Sequence, residues 1–331
     1  MAEFIYQLYA DKRFASDPLF RRIASKENDL EYLLEELEDW RQKGYILRDT
    51  PPESSIQNSL GNSDKTVPLP SLPDTIDFTG IPKQAADLQD ALRKKVFETY
   101  KDINDRTKAA SLFVPLLDGI FTQLNPQKFP LVVFTTNYDP AVEVFCEQCS
   151  SSYELEDGFL HDQAAGAFFW KRENFDSFTF VGQRKTIVLF KLHGSARWVR
   201  RGNQIMKLPF AVYADTGEDY QNALIYPATR KVALDDPFFT AYDYFQRTMD
   251  ACGCCIVIGY SFRDYDALTK LVSASIFNSR LKLLVVDPNA TALCQQLSKR
   301  GIRCTAASQE FGKDGEYLHW VSVHVAEAVK T

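Results

Sequence analysis

Four short polar clusters carry the side chains of this chain best suited to chemistry. They are Thr135-Thr136-Asn137-Tyr138-Asp139, His193-Gly194-Ser195, Gly259-Tyr260-Ser261 and Asp287-Pro288-Asn289. An imidazole titrates near neutral pH, so His193 can move a proton as a general base if it faces solvent or substrate. Of the histidines His161, His193, His319 and His324, only His193 follows an apolar run and precedes Gly-Ser; a histidine that merely closes the loop is the plain alternative. Asn137 and Asp139 offer an amide and a carboxylate, with a turn and N-cap before Pro140 as their plain alternative. Gly259 permits close backbone approach, Ser261 can donate a hydrogen bond, and Asp287 can accept one from a sugar hydroxyl. Glycine after a strand is commonly only a turn, and Asp-Pro-Asn commonly only a helix start.

The clusters gain meaning from what precedes them. Residues 131–134, 186–192, 254–258 and 281–286 are short, nearly continuous apolar runs, the pattern of strands buried on both faces of a parallel sheet. Helical spacing follows: Ala141, Val142, Val144 and Phe145 behind Pro140, another helix after 259–262, and one from Asn289 to about 297. A further helix led by Pro237 carries Phe238, Phe239, Tyr242 and Phe245. Strands alternating with helices predict an α/β fold, a Rossmann-like parallel sheet with helices on both faces. In such a sheet ligands bind beyond the carboxyl ends of the strands, so the four clusters converge on one crevice if the strands are neighbours.

Residues 1–125 read as a helical cover. Asp17-Pro18 caps and opens one helix, Leu30, Leu33, Leu34 and Leu37 mark an amphipathic stretch, and Ile81-Pro82 begins another with Leu88, Leu92, Val96 and Phe97 on one face. A third runs from about 107 to 124, and the Pro- and Ser-rich stretch at 50–82 reads as a long loop. Residues 126–331 form the core, with an insertion at 203–231. Gly202-Asn203 between alternating segments predicts a hairpin over 197–208, and residues 309–330 read as a terminal helix. His319 and His324 pack or face solvent there. No period of 20–50 residues repeats.

Composition narrows the function. The chain has 331 residues, 45% hydrophobic, with 38 Lys and Arg against 44 Asp and Glu for a net charge of −6; no positive excess draws it to phosphate backbones, and no direct nucleic-acid contact is expected. No apolar run approaches the ~20 residues that span a bilayer, and no leader pattern is seen, so a soluble cytoplasmic protein without membrane contact is expected. Seven cysteines, three of them at Cys252, Cys254 and Cys255, argue against a disulfide framework. Cys146-x-x-Cys149 has metal-ligand spacing but no second pair, so a helix-borne pair of reduced thiols is expected and no metal.

The clusters suit a dinucleotide, with backbone and hydroxyl donors for phosphate and ribose and a carboxylate for ribose hydroxyls. Taken in order, Phe134-Thr-Thr-Asn-Tyr-Asp139, Lys191-Leu-His-Gly-Ser195, Gly259-Tyr-Ser-Phe-Arg-Asp264 and Val285-Val-Asp-Pro-Asn289 resemble the sirtuin-like domain. The resemblance is to its divergent, zinc-free bacterial branch, often found in antiphage defence proteins; Tyr226-Pro227 with Lys231 is similar to that branch too.

The resemblance implies that Asn137 holds the ribose and the attacking water, that Asp139 lines the nicotinamide pocket and that His193 is the catalytic base. It implies Thr136, Gly259, Ser261 and Asp287 as cofactor-binding residues and NAD+ as substrate, cleaved at the nicotinamide–ribose bond. No paired Cys-x-x-Cys module lies between His193 and Asp250, which favours NAD+ hydrolysis over NAD-dependent protein deacylation. The implied partners are NAD and either a second copy or another defence subunit. One departure stands out: nothing before Asn137 has the Gly-Ala-Gly-x-Ser form of the family's phosphate-cradling loop, and Gly44 and Gly61 are isolated. A reading frame that starts late, or a derived domain without one central strand, would each account for it. A noncatalytic NAD- or ADP-ribose-sensing or assembly module is the alternative function.

Overall fold

A computed structural model describes residues 8–24, 30–43, 81–101, 105–124, 129–176, 184–213, 220–226, 235–313 and 315–330. The stretch expected as a loop at 50–82 lies outside them apart from its last two residues, as do 214–219 and 227–231 of the expected insertion. The chain divides into two compact units, Met1–Lys95 with Pro227–Thr229, and Val96–Tyr226 with Arg230–Thr331.

The first unit is helical: α1 (Lys12–Ala15), α2 (Pro18–Ala24), α3 (Leu30–Lys43) and the first part of α4 (Ile81–Tyr100). Asp17 caps α2 as its position before Pro18 predicts, its Oδ1 accepting from Leu19 N at 2.8 Å and Phe20 N at 2.9 Å. Leu30, Leu33, Leu34 and Leu37 are buried, as are Leu88 and Leu92. Gln89 Nε2 donates to Glu38 Oε2 at 2.8 Å, which ties α4 to α3.

The second unit is α/β. Its parallel strands form two three-stranded sheets. In one, β1 (Leu131–Thr135) and β2 (Tyr153–Glu156) flank β5 (Lys185–Lys191); in the other, β9 (Cys254–Ile258) and β11 (Cys304–Ala307) flank β10 (Lys282–Val286). Helices cover both faces because β1, β5, β9 and β10 are apolar on both. Leu283 and Val285 of β10 point into a cluster with α8 (Phe238–Ala251), α9 (Tyr265–Phe277) and α10 (Ala290–Ser298). Leu284 and Val286 point the other way, to α5 (Arg106–Gln123) and the terminal α11 (Glu316–Lys330). Val188 and Phe190 of β5 share the first cluster, while Ile187 faces α5 and α6 (Ala141–Gln148). Among the described residues no helix is long and apolar enough to cross a membrane.

Antiparallel strands make a third sheet in the order β3 (Phe159–Asp162), β4 (Ala167–Trp170), β7 (Gln204–Lys207), β6 (Gly194–Arg201) and β8 (Gln221–Leu224). The hairpin expected at Gly202-Asn203 is present, Arg201 opposite Gln204 and Gly202 at φ 57°. Its neighbours β3, β4 and β8 and the parallel β2 and β11 have no counterpart in the sequence reading. Each has four residues, and strands such as Tyr153-Glu-Leu-Glu and Gln221-Asn-Ala-Leu lack an apolar run. The short helix α7 (Arg172–Asp176) follows β4.

One expectation at the heart of the site is corrected. His193-Gly194-Ser195 is not an open loop: β6 begins at Gly194, so the parallel strand β5 turns straight into the antiparallel sheet. Gly194 makes this possible, with φ 81° and room for no side chain, since a Cβ there would lie 2.1 Å from the Ala223 carbonyl oxygen.

Candidate functional site

The site is built from the carboxyl ends of the parallel strands. β1 and β5 are in register, Thr135 opposite Lys191, and Leu192 N donates to Thr135 O at 2.9 Å. Asn137 and His193 therefore leave adjacent strands side by side at the same end of the sheet. The backbone of His193 is fixed by Ile225 N, which donates to its carbonyl at 3.0 Å, and Ala196 N donates to Tyr138 O at 2.9 Å.

Of the two readings left open for His193, facing solvent or closing the loop, the ring takes neither in simple form: it is buried, 6% exposed. The physical reason is a partner from the next sheet: Asp264, four residues past Tyr260, places Oδ2 2.6 Å from His193 Nε2. Tyr242 of α8 completes the group, its hydroxyl donating to Asp264 Oδ2 at 2.9 Å and lying 3.3 Å from His193 Nε2. Burial, then the Asp264 charge, pushes the Tyr242 phenol far above its ordinary range, so it stays protonated and donates. Asp264 Oδ1 meanwhile caps α9, accepting from Asp266 N at 3.0 Å and Ala267 N at 3.2 Å. The start of a helix favours negative charge. With Asp264 as a carboxylate, an acceptor only, His193 Nε2 is the donor of the pair.

Around Asn137 the geometry is of two kinds. Asn137 is exposed and Thr136 half-buried, both just past the end of β1. Asn137 N donates to Thr135 Oγ1 at 3.1 Å. Asp139 is tied to structure: its Oδ1 accepts from Ala141 N at 3.0 Å at the start of α6. Behind it lies a buried ion pair. Lys191, 2% exposed, reaches the carbonyl oxygen of Asp139 at 2.5 Å and Glu143 Oε1 at 3.3 Å. Ser195, fully buried, places its hydroxyl 3.5 Å from Glu143 Oε1. Tyr138 donates through its hydroxyl to Ile225 O at 2.8 Å, its ring centroid 6.2 Å from that of His193.

The other two tips present open surface. Gly259 at φ 60° and Ser261 are exposed, with nothing within 4 Å of a Cβ at Gly259. Phe262 turns back into the core at φ 58° and 7% exposure. Asp287 is half-buried at the end of β10, and its Oδ1 accepts from Asn289 N at 2.7 Å, the turn that starts α10.

The structure thus gathers His193, Asp264 and Tyr242 in direct contact, while Thr136 and Asn137 follow the end of β1, the strand next to β5. Gly259, Ser261 and Asp287 lie at the tips of β9 and β10. Asp264 and Tyr242 are missing from the residues picked out by sequence. The signal for Asp264 was present, as the last residue of the third motif and the cap before Tyr265; Tyr242 reads only as one more aromatic of an apolar helix face. His161 and His319 are exposed and distant in sequence from these tips, and His324 Nδ1 lies 2.9 Å from Trp320 O. Among the described residues no three His, Cys, Asp or Glu side chains are arranged to hold a metal. Burial raises three of the thiols, Cys146 well above its usual range and Cys252 and Cys254 to about 11.

No protein-family model matches the chain. No curated protein matches it either. Among solved structures it is similar to a variant Sir2 homologue in complex with ADP-ribose, at 17% identity and a TM-score of 0.35 over 76% of this chain and 78% of that one. A second variant, with 2'-O-acetyl ADP-ribose, is 15% identical with a TM-score of 0.35 over 77% and 78% of the two chains. A third, with ADP-ribose, is 17% identical with a TM-score of 0.36 over 76% and 78%.

Proposed function

We propose that this chain hydrolyses NAD+ at the nicotinamide–ribose bond, in the setting of bacterial antiphage defence. The observation that carries the reading is the placement of Asn137 and His193 side by side beyond adjacent parallel strands, with the imidazole oriented by Asp264 and Tyr242. The order of the four motifs, similar to that of sirtuin-like domains, supplies the substrate class and the defence setting. Departure of the cationic nicotinamide builds positive charge on the ribose, which a base acting on a ribose hydroxyl or on water helps to capture. His193 is that base, and Asp264 holds the ring and stabilises the imidazolium that forms, as a carboxylate does for any catalytic imidazole. Asn137, exposed past the end of β1, orients the ribose and the water. Thr136, Gly259, Ser261 and Asp287 bind the rest of the dinucleotide.

Purified protein incubated with NAD+ is expected to release nicotinamide, measured by chromatography, and Asn137→Ala and His193→Ala are each expected to lower the rate about a hundredfold or more. Equal release from all three proteins rejects the assignment.

A second reading, a noncatalytic module that senses NAD or ADP-ribose or serves in assembly, draws on the burial of His193 and the use of an Asp139 oxygen in the turn before α6. Calorimetric titration separates the two: tight binding of NAD+ and ADP-ribose with no nicotinamide released supports the sensor.

A further inference from the structure

Cys294 and Cys304 come from different elements and meet at one surface groove. Side chains alternate along β11, so Cys304 and Ala306 share the face that packs on the α8, α9 and α10 cluster, while Ala307 packs on the opposite layer. On α10, Thr291, Cys294 and Ser298 recur at three- and four-residue spacing, which puts them on one helix face. That face of α10 and that side of β11 line a common groove of about 760 Å³, open to solvent.

The sulfurs are close in that groove. Cys304 Sγ lies 3.3 Å from the Cys294 carbonyl oxygen and 3.7 Å from Ser298 Oγ. The two thiols also hydrogen-bond each other: burial, then this contact with Cys304, raises the Cys294 thiol as well, to about 12. Both residues are half-buried, so small solutes reach them. Other cysteines are placed differently. Cys146 is 4% exposed within an apolar cluster, and Cys252 and Cys254, though close in sequence, pack into opposite layers.

We propose that Cys294 and Cys304 form a redox-active dithiol, which hydrogen peroxide converts into a disulfide joining α10 to β11. The Cys304 thiolate attacks a peroxide oxygen. An S–O bond forms, the O–O bond breaks, and the hydroxide that leaves takes up the proton Cys304 released. Cys294, still a thiol, then attacks Cys304 Sγ. An S–S bond forms, the S–O bond breaks, and the leaving hydroxide takes the Cys294 proton to give water. The two sulfurs supply the electron pair that reduces the peroxide to water. The bond closes a loop over residues 295–303 and pins α10, which starts just after the Asp287 turn, to the sheet. The proposal is independent of the reaction proposed above.

The test treats the full chain with hydrogen peroxide, blocks the remaining thiols with N-ethylmaleimide and analyses tryptic peptides by mass spectrometry. Cleavage after Lys299, Arg300 and Arg303 separates the two cysteines, so the disulfide is expected to appear as peptides 283–299 and 304–313 linked together, and to vanish with dithiothreitol. The folded chain is expected to form this link about tenfold faster than the chain in urea, because the fold holds the sulfurs together. In Cys294→Ser, peroxide is expected to leave Cys304 as a sulfenic acid that dimedone captures, whereas Cys304→Ser is expected to show no such label at Cys294. The wild-type measurement stands alone if a variant does not fold. No linked peptide, equal rates in the folded chain and in urea, linkage of Cys294 or Cys304 to any other cysteine, or a link between two copies on a non-reducing gel overturns the proposal. A dimedone label at Cys294 in Cys304→Ser overturns the choice of attacking sulfur.

Discussion

Lys191 and Glu143 show how much a single buried pair constrains the site. Both side chains are nearly inaccessible, 2% and 3% exposed, and Lys191 also holds the Asp139 carbonyl. Removing the cation leaves a carboxylate buried without its partner, so Lys191→Met is expected to cost about 3–5 kcal/mol in urea unfolding, and adding Glu143→Leu to recover much of it. Two buried phenols set the alkaline limit of stability. Burial raises both Tyr153 and Tyr242 above their ordinary value of 10.0, with Asp118 and Asp264 adding to the effect. A group raised on folding contributes stability that is complete below its unfolded pKa and is lost as pH climbs above it. Urea melts are therefore expected to show unfolding free energy falling above a pH of about 10, and falling less in a Tyr153→Phe, Tyr242→Phe double variant. A pH-independent difference between the two proteins would contradict this.

At the scale of elements, two glycines with left-handed backbone separate by what surrounds them. Gly194 is hemmed in by the Ala223 carbonyl, while nothing lies near Gly259. Gly194→Ala must push β8 away from β6 and is expected to lower the melting temperature by several degrees. Gly259→Ala meets only the backbone strain of about 1–2 kcal/mol, and calorimetry on the two variants orders them. The parallel strands β1, β5, β9 and β10 were legible because each is an apolar run that ends at a polar cluster. β2, β3, β8 and β11 were not, because a four-residue strand that mixes polar and apolar residues carries no periodicity to read, and the four apolar residues of β4 are too short a run to tell from a buried helix segment. The hairpin at Gly202 was legible from its turn residues alone. The conversion of His193-Gly194 from an open loop into a strand junction was not, since it depends on the approach of the Ala223 carbonyl to Gly194 from β8, a strand far along the sequence whose pairing with β6 is bulged.

For the whole molecule, the strand tips do assemble at one end, and that much followed from motif order and the rule that ligands bind beyond the carboxyl ends of parallel strands. What the sequence hid is the trio around His193. Asp264 reads as a helix cap and Tyr242 as a core aromatic, and each holds both roles because a single carboxylate can cap α9 with one oxygen and hold the imidazole with the other. The same trio makes the site dependent on the relation between the sheet that holds β5 and the sheet that holds β9.

The rate of nicotinamide release from NAD+ by the wild-type chain and by Asp264→Asn tests the central claim most directly. Asparagine caps a helix as well as aspartate does, so the variant keeps the fold but loses the charge that orients and supports the imidazolium. Measurable release by the wild type, reduced about a hundredfold in the variant at an unchanged melting temperature, is the expected result. No release from the wild type, or equal rates from the two proteins, would contradict it.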